Sequence, residues 1–173
     1  MSPRSEDADP GARQGVVTRL DDGRQRLEFR RSWPDPVDDV WAALTEPDRT
    51  ARWIGTYDGE RAVGGTGTST MTHEEQPSGE PMRIVECDPP RRLVVEWVQE
   101  DTDAWRVDLD LTTEGDRTVL RFVQVFGADA DVADFAMGWH WYLEKFGAEV
   151  AGTPAPGEWN AFLAEVGPAY GRA

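Results

Sequence analysis

A change of hydrophobic period near residue 127 constrains this chain more than any other feature of its sequence. Upstream, apolar side chains recur at every second position in short runs. Leu93, Val95 and Trp97 form one run; Trp105, Val107, Leu109 and Leu111 alternate with Arg106, Asp108, Asp110 and Thr112; Leu120, Phe122, Gln124 and Phe126 share one face of a third. Such alternation marks strands with one face buried and one wet. Downstream, Phe135, Trp139, Tyr142, Leu143, Phe146 and Val150 recur at about 100° per residue, as on one amphipathic helix. Turn residues sit between the strand runs, at Gly64-Gly65, Asp88-Pro89-Pro90-Arg91 and Glu114-Gly115-Asp116. Connections this short join antiparallel neighbours. The long helix is then the element available to cover the sheet's apolar face.

The remaining segments fit the same plan. Runs at 16–20 and 25–33 flank Asp21-Asp22-Gly23, a hairpin signal. Arg31 interrupts the apolar face of Leu27, Phe29 and Trp33, which places this strand at an edge or rim. Asp35 is expected to cap a helix opened by Pro36, with Asp38 and Asp39 opposing its dipole and Val37, Val40, Trp41 and Leu44 forming its stripe. Thr45 and Asp48 suggest a capping box for a second helix, with Pro47 in its first turn, Trp53 and Ile54 on its face and a stop at Gly55. Weaker strands are expected at 57–63 and 66–72, and firmer ones at 81–87 and 93–99. Gly64-Gly65-Thr66-Gly67 falls between two of these strands and marks a bulge or bend. The sequence 153–157 breaks the long helix, and Trp159, Phe162, Leu163 and Val166 belong to a last short one ending at Gly167-Pro168. Residues 1–14 are polar and carry Pro3, Pro10 and Gly11, so they read as a disordered leader to one domain over 15–171. The fold class is α+β: a curved antiparallel sheet with two short helices, wrapped around a long C-terminal helix.

Composition removes several functions. Eighteen Lys and Arg against 33 Asp and Glu leave a net charge of −15, unsuited to nucleic acid or to an anionic membrane surface. No run approaches the ~20 apolar residues of a membrane span. The acidic start has no apolar segment behind it, and Cys87 is the one cysteine, so a cytoplasmic setting without disulfides is expected. A cysteine zinc site is excluded, and with His73 and His140 the only histidines no metal or cofactor is expected. The sequence holds no G-x-S-x-G, no phosphate loop and no strand-linked dinucleotide fingerprint. Eight Trp residues, however, supply bulky rings. Packed between a twisted sheet and a helix, such rings leave room for a cavity.

Several stretches, taken in order, carry a family resemblance. Trp33-Pro34-Asp35-Pro36-Val37-Asp38-Asp39-Val40-Trp41-Ala42-Ala43-Leu44-Thr45-Glu46-Pro47, followed by Ala51-Arg52-Trp53, resembles the opening of bacterial proteins of the activator-of-heat-shock-protein-90-ATPase type. These belong to the SRPBCC superfamily, START-like and birch-pollen-allergen-like. Val63-Gly64-Gly65, the stretch from Glu86-Cys87-Asp88-Pro89-Pro90-Arg91-Arg92-Leu93 to Glu96-Trp97, Gly138-Trp139-His140-Trp141-Tyr142-Leu143 and Pro168-Ala169-Tyr170 agree with it. The resemblance implies a helix-grip fold with an apolar cavity between sheet and last helix. It does not fix an activity, since the superfamily includes carriers, hormone receptors, cyclases, resistance proteins and chaperone regulators.

Three readings follow. The first is binding of a small hydrophobic or aromatic molecule in the cavity, as carrier, sensor or resistance protein. Trp53, Trp97, Phe122, Gln124, Trp139, His140 and Leu143 are its expected contacts. His140 lies at the edge of the helical stripe with Glu144 at i+4, where it reads as a core histidine bonded to a backbone carbonyl or as a cavity acid–base group. Gln124, polar among Leu120, Phe122 and Phe126, stands where the family often has histidine and reads equally as a structural amide or a ligand contact. The alternative is a cyclase or dehydratase on a polyketide-like substrate, with His140 as acid or base. The third is regulation of a chaperone ATPase, a stress-response role. It ranks last, because a chain of this length is not expected to hold the additional amino-terminal domain of the eukaryotic activator. Asp108 and Asp110 fall on the wet face, and His73-Glu74-Glu75 reads as a solvated turn.

Overall fold

The computed structural model describes residues 14–74, 76–98, 105–155 and 157–171. The expected leader at 1–14 lies outside these residues except for Gln14. In chain order the strands are β1 (Val16–Arg19), β2 (Gln25–Trp33), β3 (Thr56–Gly59), β4 (Thr66–Thr70), β5 (Gly79–Asp88), β6 (Arg92–Trp97), β7 (Trp105–Glu114) and β8 (Arg117–Phe126). The helices are α1 (Val37–Thr45), α2 (Pro47–Trp53), α3 (Val132–Ala151) and α4 (Trp159–Val166), with a 3₁₀ turn at Gly167–Tyr170. One antiparallel sheet runs in the order β1-β2-β8-β7-β6-β5-β4-β3. Strands β3 to β8 form a meander and β2 closes against β8.

Register sets the inner face. Val95 pairs with Val107, Leu109 with Phe122, Leu111 with Leu120, and Phe122 with Phe29, so apolar residues stack across four strands. From α3, Ala136, Trp139, Leu143 and Phe146 descend onto this face. Phe146 packs edge-on between Trp33 and Trp53, at 5.3 and 4.9 Å between ring centroids. Trp53 donates its indole N–H to the carbonyl of Ala43 at 2.8 Å. Glu149 of α3 accepts from Arg49 at 2.9 Å and from Arg52 at 3.1 Å, which ties α2 to the long helix. A second apolar cluster of Met137, Phe162 and Val166 seats α4 on the far side of α3.

Several local expectations are corrected. Pro36, not Asp35, is the N-cap of α1, and neither helix start carries a side-chain capping bond. Thr45 does not build a capping box; its hydroxyl donates back to the Trp41 carbonyl at 2.8 Å, an i−4 bond available to a residue already inside the last helical turn. Strand β3 stops at Gly59 rather than residue 63. Arg31 is not at a rim: it is 2% exposed on the inner face, its guanidinium 5.5 Å from the Phe29 ring centre and 3.8 Å from the Glu144 carboxylate. Between α2 and β3 the chain passes so near β4 that a Cβ on Gly55 would lie 1.9 Å from the Thr70 carbonyl oxygen. With φ at +151°, that position requires glycine.

Candidate functional site

A cavity of about 160 Å³ lies between the sheet and α3. Its apolar walls come from β6 (Leu93, Val95, Trp97), β7 (Val107, Leu109), β8 (Leu120, Phe122) and α3 (Trp139, Leu143). Strand β5 adds Met82, Ile84 and Cys87, and the α2 end adds Trp53 and Ile54. Polar groups gather at one end: Thr45, Thr50, Thr56, Tyr57, Arg61 and Thr70. Thr56 and Arg61 are exposed, so the cavity meets solvent there.

Of the seven residues expected to contact a ligand, five line this space: Trp53, Trp97, Phe122, Trp139 and Leu143. Gln124 and His140 do not. Gln124 is 1% exposed and sits behind Trp139, whose indole N–H donates to its side-chain oxygen at 2.7 Å. Because indole nitrogen only donates, this bond fixes which end of the amide is oxygen. The amide nitrogen then has no hydrogen-bond partner among the described residues.

His140 faces α4 and the 3₁₀ turn. Its ring stands edge-on to Phe29, Phe162 and Tyr170. The Tyr170 hydroxyl accepts the Gly15 N–H at 2.7 Å and lies 2.8 Å from His140 Nδ1, while Nε2 lies 3.3 Å from Glu144. Nε2 faces the Glu144 carboxylate and Nδ1 the Tyr170 hydroxyl, so both ring nitrogens have polar partners. Burial pushes the Tyr170 hydroxyl up to about 12, against the opposing bond from Gly15. Through Tyr170, His140 links the segment just before β1, the 3₁₀ turn and α3. His140 thus packs between Phe29 of β2, α4 and the 3₁₀ turn, beside the cavity rather than in its lining.

The sequence reading missed Tyr57, Arg61, Thr70, Cys87 and Tyr142 in the lining. Tyr142 donates to Glu74, and burial followed by that carboxylate pushes its hydroxyl well above the ordinary range. Burial likewise raises Tyr57. His73 is exposed but bonded: Lys145 approaches its Nδ1 at 2.9 Å and its Nε2 lies 3.0 Å from the Ala51 carbonyl. Asp108 and Asp110 lie on the outer face, both bonded to Arg92 at 2.8 Å. Burial raises Asp108, but hydrogen bonds from Arg106 and Arg92 outweigh it and hold the carboxyl below its usual value. No cluster of three metal-ligating side chains occurs among the described residues. None of their helices is long and apolar enough to cross a membrane.

Burial, then the neighbouring Asp88 charge, raises the Cys87 thiol above its ordinary value. Since the thiolate is the reactive form, Ellman's reagent should react with Cys87 more slowly than with free cysteine at neutral pH. The rate should still be climbing above pH 9. A rate equal to that of the free thiol would contradict this placement.

The sheet closed over a long helix, with an apolar cavity between, defines a START-like domain of helix-grip architecture, a ligand-binding fold. The chain belongs to the Activator of Hsp90 ATPase homolog 1-like family, whose pattern it matches over residues 35–151. No curated protein matches this sequence. Among solved structures, it is similar to CalU16 from Micromonospora echinospora, at 27% identity over 91% of this chain and 93% of that one, with a TM-score of 0.68. A protein encoded by gene BPP1335 from Bordetella parapertussis shows 26% identity over 91% and 89% of the two chains, TM-score 0.71. DynU16, from the dynemicin biosynthetic locus, shares the fold at 22% identity, with 76% of this chain matching 49% of that one and a TM-score of 0.64.

Proposed function

We propose that this protein binds a small hydrophobic molecule, about one aromatic ring in size, in the cavity between sheet and α3. The observation that carries the reading is a cavity of about 160 Å³ walled by Trp97, Phe122, Trp139 and Leu143. An apolar cavity of ~150 Å³ accepts benzene, and flat indole walls favour an aromatic guest. The volume is below the few hundred Å³ of larger ligand sites, so a polycyclic substrate does not fit the cavity as it stands. The cyclase alternative has His140 as its acid or base, and His140 is not among the described cavity-lining residues. Among the described lining residues there is neither carboxylate nor imidazole. Tyr57, Cys87 and Tyr142 are all shifted toward their protonated forms, leaving no general base.

Titration calorimetry with p-cresol and 2-naphthol tests the reading. The expected result is saturable 1:1 binding of p-cresol, weaker binding of the two-ring naphthol, and a negative heat-capacity change from apolar burial. Val95→Phe, which fills the space with its own ring, should remove the signal without unfolding the protein. No saturable binding of either compound would overturn the proposal; tighter binding of naphthol would overturn the size limit.

A further inference from the structure

Resting on that reading, we infer that the preferred guest is a single-ring carboxylate, held with its apolar ring between the Trp walls and its anionic group at Arg61. The cavity is polarised along its length. Its inner end is apolar, whereas its mouth carries Thr45, Thr56, Tyr57 and Arg61. Arg61 is the one permanently charged side chain among the described lining residues.

Its setting differs from that of the ion-paired arginines on the sheet, and resembles that of Arg19, which among the described residues bonds only the Gly23 carbonyl. Arg83 pairs with Glu96, Arg92 with Glu86, Asp108 and Asp110, and Arg106 with Asp108. Arg61 makes no ion pair among the described residues. It donates to two backbone carbonyls, Thr45 at 3.1 Å and Tyr57 at 3.3 Å, and stacks 5.5 Å from the Tyr57 ring centre. Those neutral acceptors hold the guanidinium at the mouth without neutralising it. Two of its five N–H groups are engaged, leaving donors for a carboxylate.

Among the other polar lining groups, the Tyr142 hydroxyl already donates to the Glu74 carboxylate and is not offered to a second anion. The net charge of −15 opposes anions at long range. Beyond the ~10 Å Debye length at 0.1 M salt, however, that field is screened, while a contact with Arg61 persists.

The test compares 4-methylbenzoate with its neutral isostere 4-methylbenzamide by titration calorimetry. In the wild-type protein the acid should bind about tenfold more tightly than the amide, the scale of one charge-assisted hydrogen bond. Added salt should shrink that ratio. Arg61→Gln should bring the ratio close to one, and Arg61→Lys, which keeps the charge but loses the fork, should retain part of it. Circular dichroism confirms that both variants fold. If acid and amide bind equally to the wild type, or the preference survives in Arg61→Gln, the anion assignment is wrong while the cavity reading stands. If neither compound nor p-cresol binds, the cavity reading itself fails and takes this inference with it.

Discussion

Replacing Trp139 with alanine should lower the free energy of unfolding by about 3–5 kcal/mol, the range for deleting a large buried aromatic ring. Trp139 touches Phe122 at 4.9 Å and Trp97 at 6.0 Å between ring centroids, so its loss opens the cavity wall. It also strips Gln124 of its hydrogen-bond donor. That contact separates two contributions. Trp139→Phe keeps most of the ring but leaves the Gln124 oxygen unpartnered, and Gln124→Leu leaves the indole N–H unpartnered. Each single change should cost about 1–3 kcal/mol, the penalty for a buried polar group left unsatisfied. The double variant should cost less than the sum, because both polar partners leave together. Urea unfolding followed by far-ultraviolet circular dichroism measures all four species. Strict additivity would show that the Trp139–Gln124 bond does not couple the helix to the sheet. A double-variant cost below the sum would mark Gln124 as a support for the cavity wall, acting through the Trp139 ring that lines it.

How far the sequence discloses this site depends on how regular each element is. The alternation in β7 and β8 is unbroken, so Val107, Leu109, Leu120 and Phe122 are legible as inward-facing from spacing alone. Strand β5 is different. Its register shifts between Ile84 and Glu86, an extra-residue irregularity. Simple alternation from Met82 and Ile84 would send Glu86 inward. The shift instead lets Glu86 meet Arg92 at 2.7 Å and brings Cys87 to the cavity. Nothing in the local sequence announces that change of phase. Arg61 is hidden for another reason: it lies in the connection between β3 and β4, where no periodicity exists to orient a side chain. His140, at the edge of the α3 stripe, is compatible in sequence with both a core and a cavity position. The 3.6-residue stripe locates the face toward the sheet, but docking of α4 and the 3₁₀ turn is a long-range contact that buries the other side as well. Arg31 followed the same logic, since a charged residue in a strand reads as exposed unless its partner, here Glu144 on α3, is known.

That partner makes the largest electrostatic prediction. Glu144→Ala should destabilise the protein by about 3–5 kcal/mol, as expected when one member of a buried ion pair is removed. The Arg31 side chain is 2% exposed and Glu144 19%, so the arginine has far less access to water than its partner. Truncating the glutamate takes a carboxylate away from a buried guanidinium, and removes the acceptor beside His140 Nε2 as well. The reverse change should be milder: in Arg31→Met the apolar chain still packs against Phe29, and Glu144 retains His140 and partial hydration. The pair Arg31→Met with Glu144→Leu should recover much of the loss, because buried charges replaced together by apolar groups are often neutral in stability. Equal penalties for the two single variants would contradict the asymmetry in burial. Ligand binding gives an independent check, since Arg31, His140 and Glu144 are all absent from the cavity lining. The folded Arg31→Met/Glu144→Leu protein should bind p-cresol as the wild type does. A loss of binding there would mean that this cluster, where α3 meets β2, sets the position of Trp139 and Leu143.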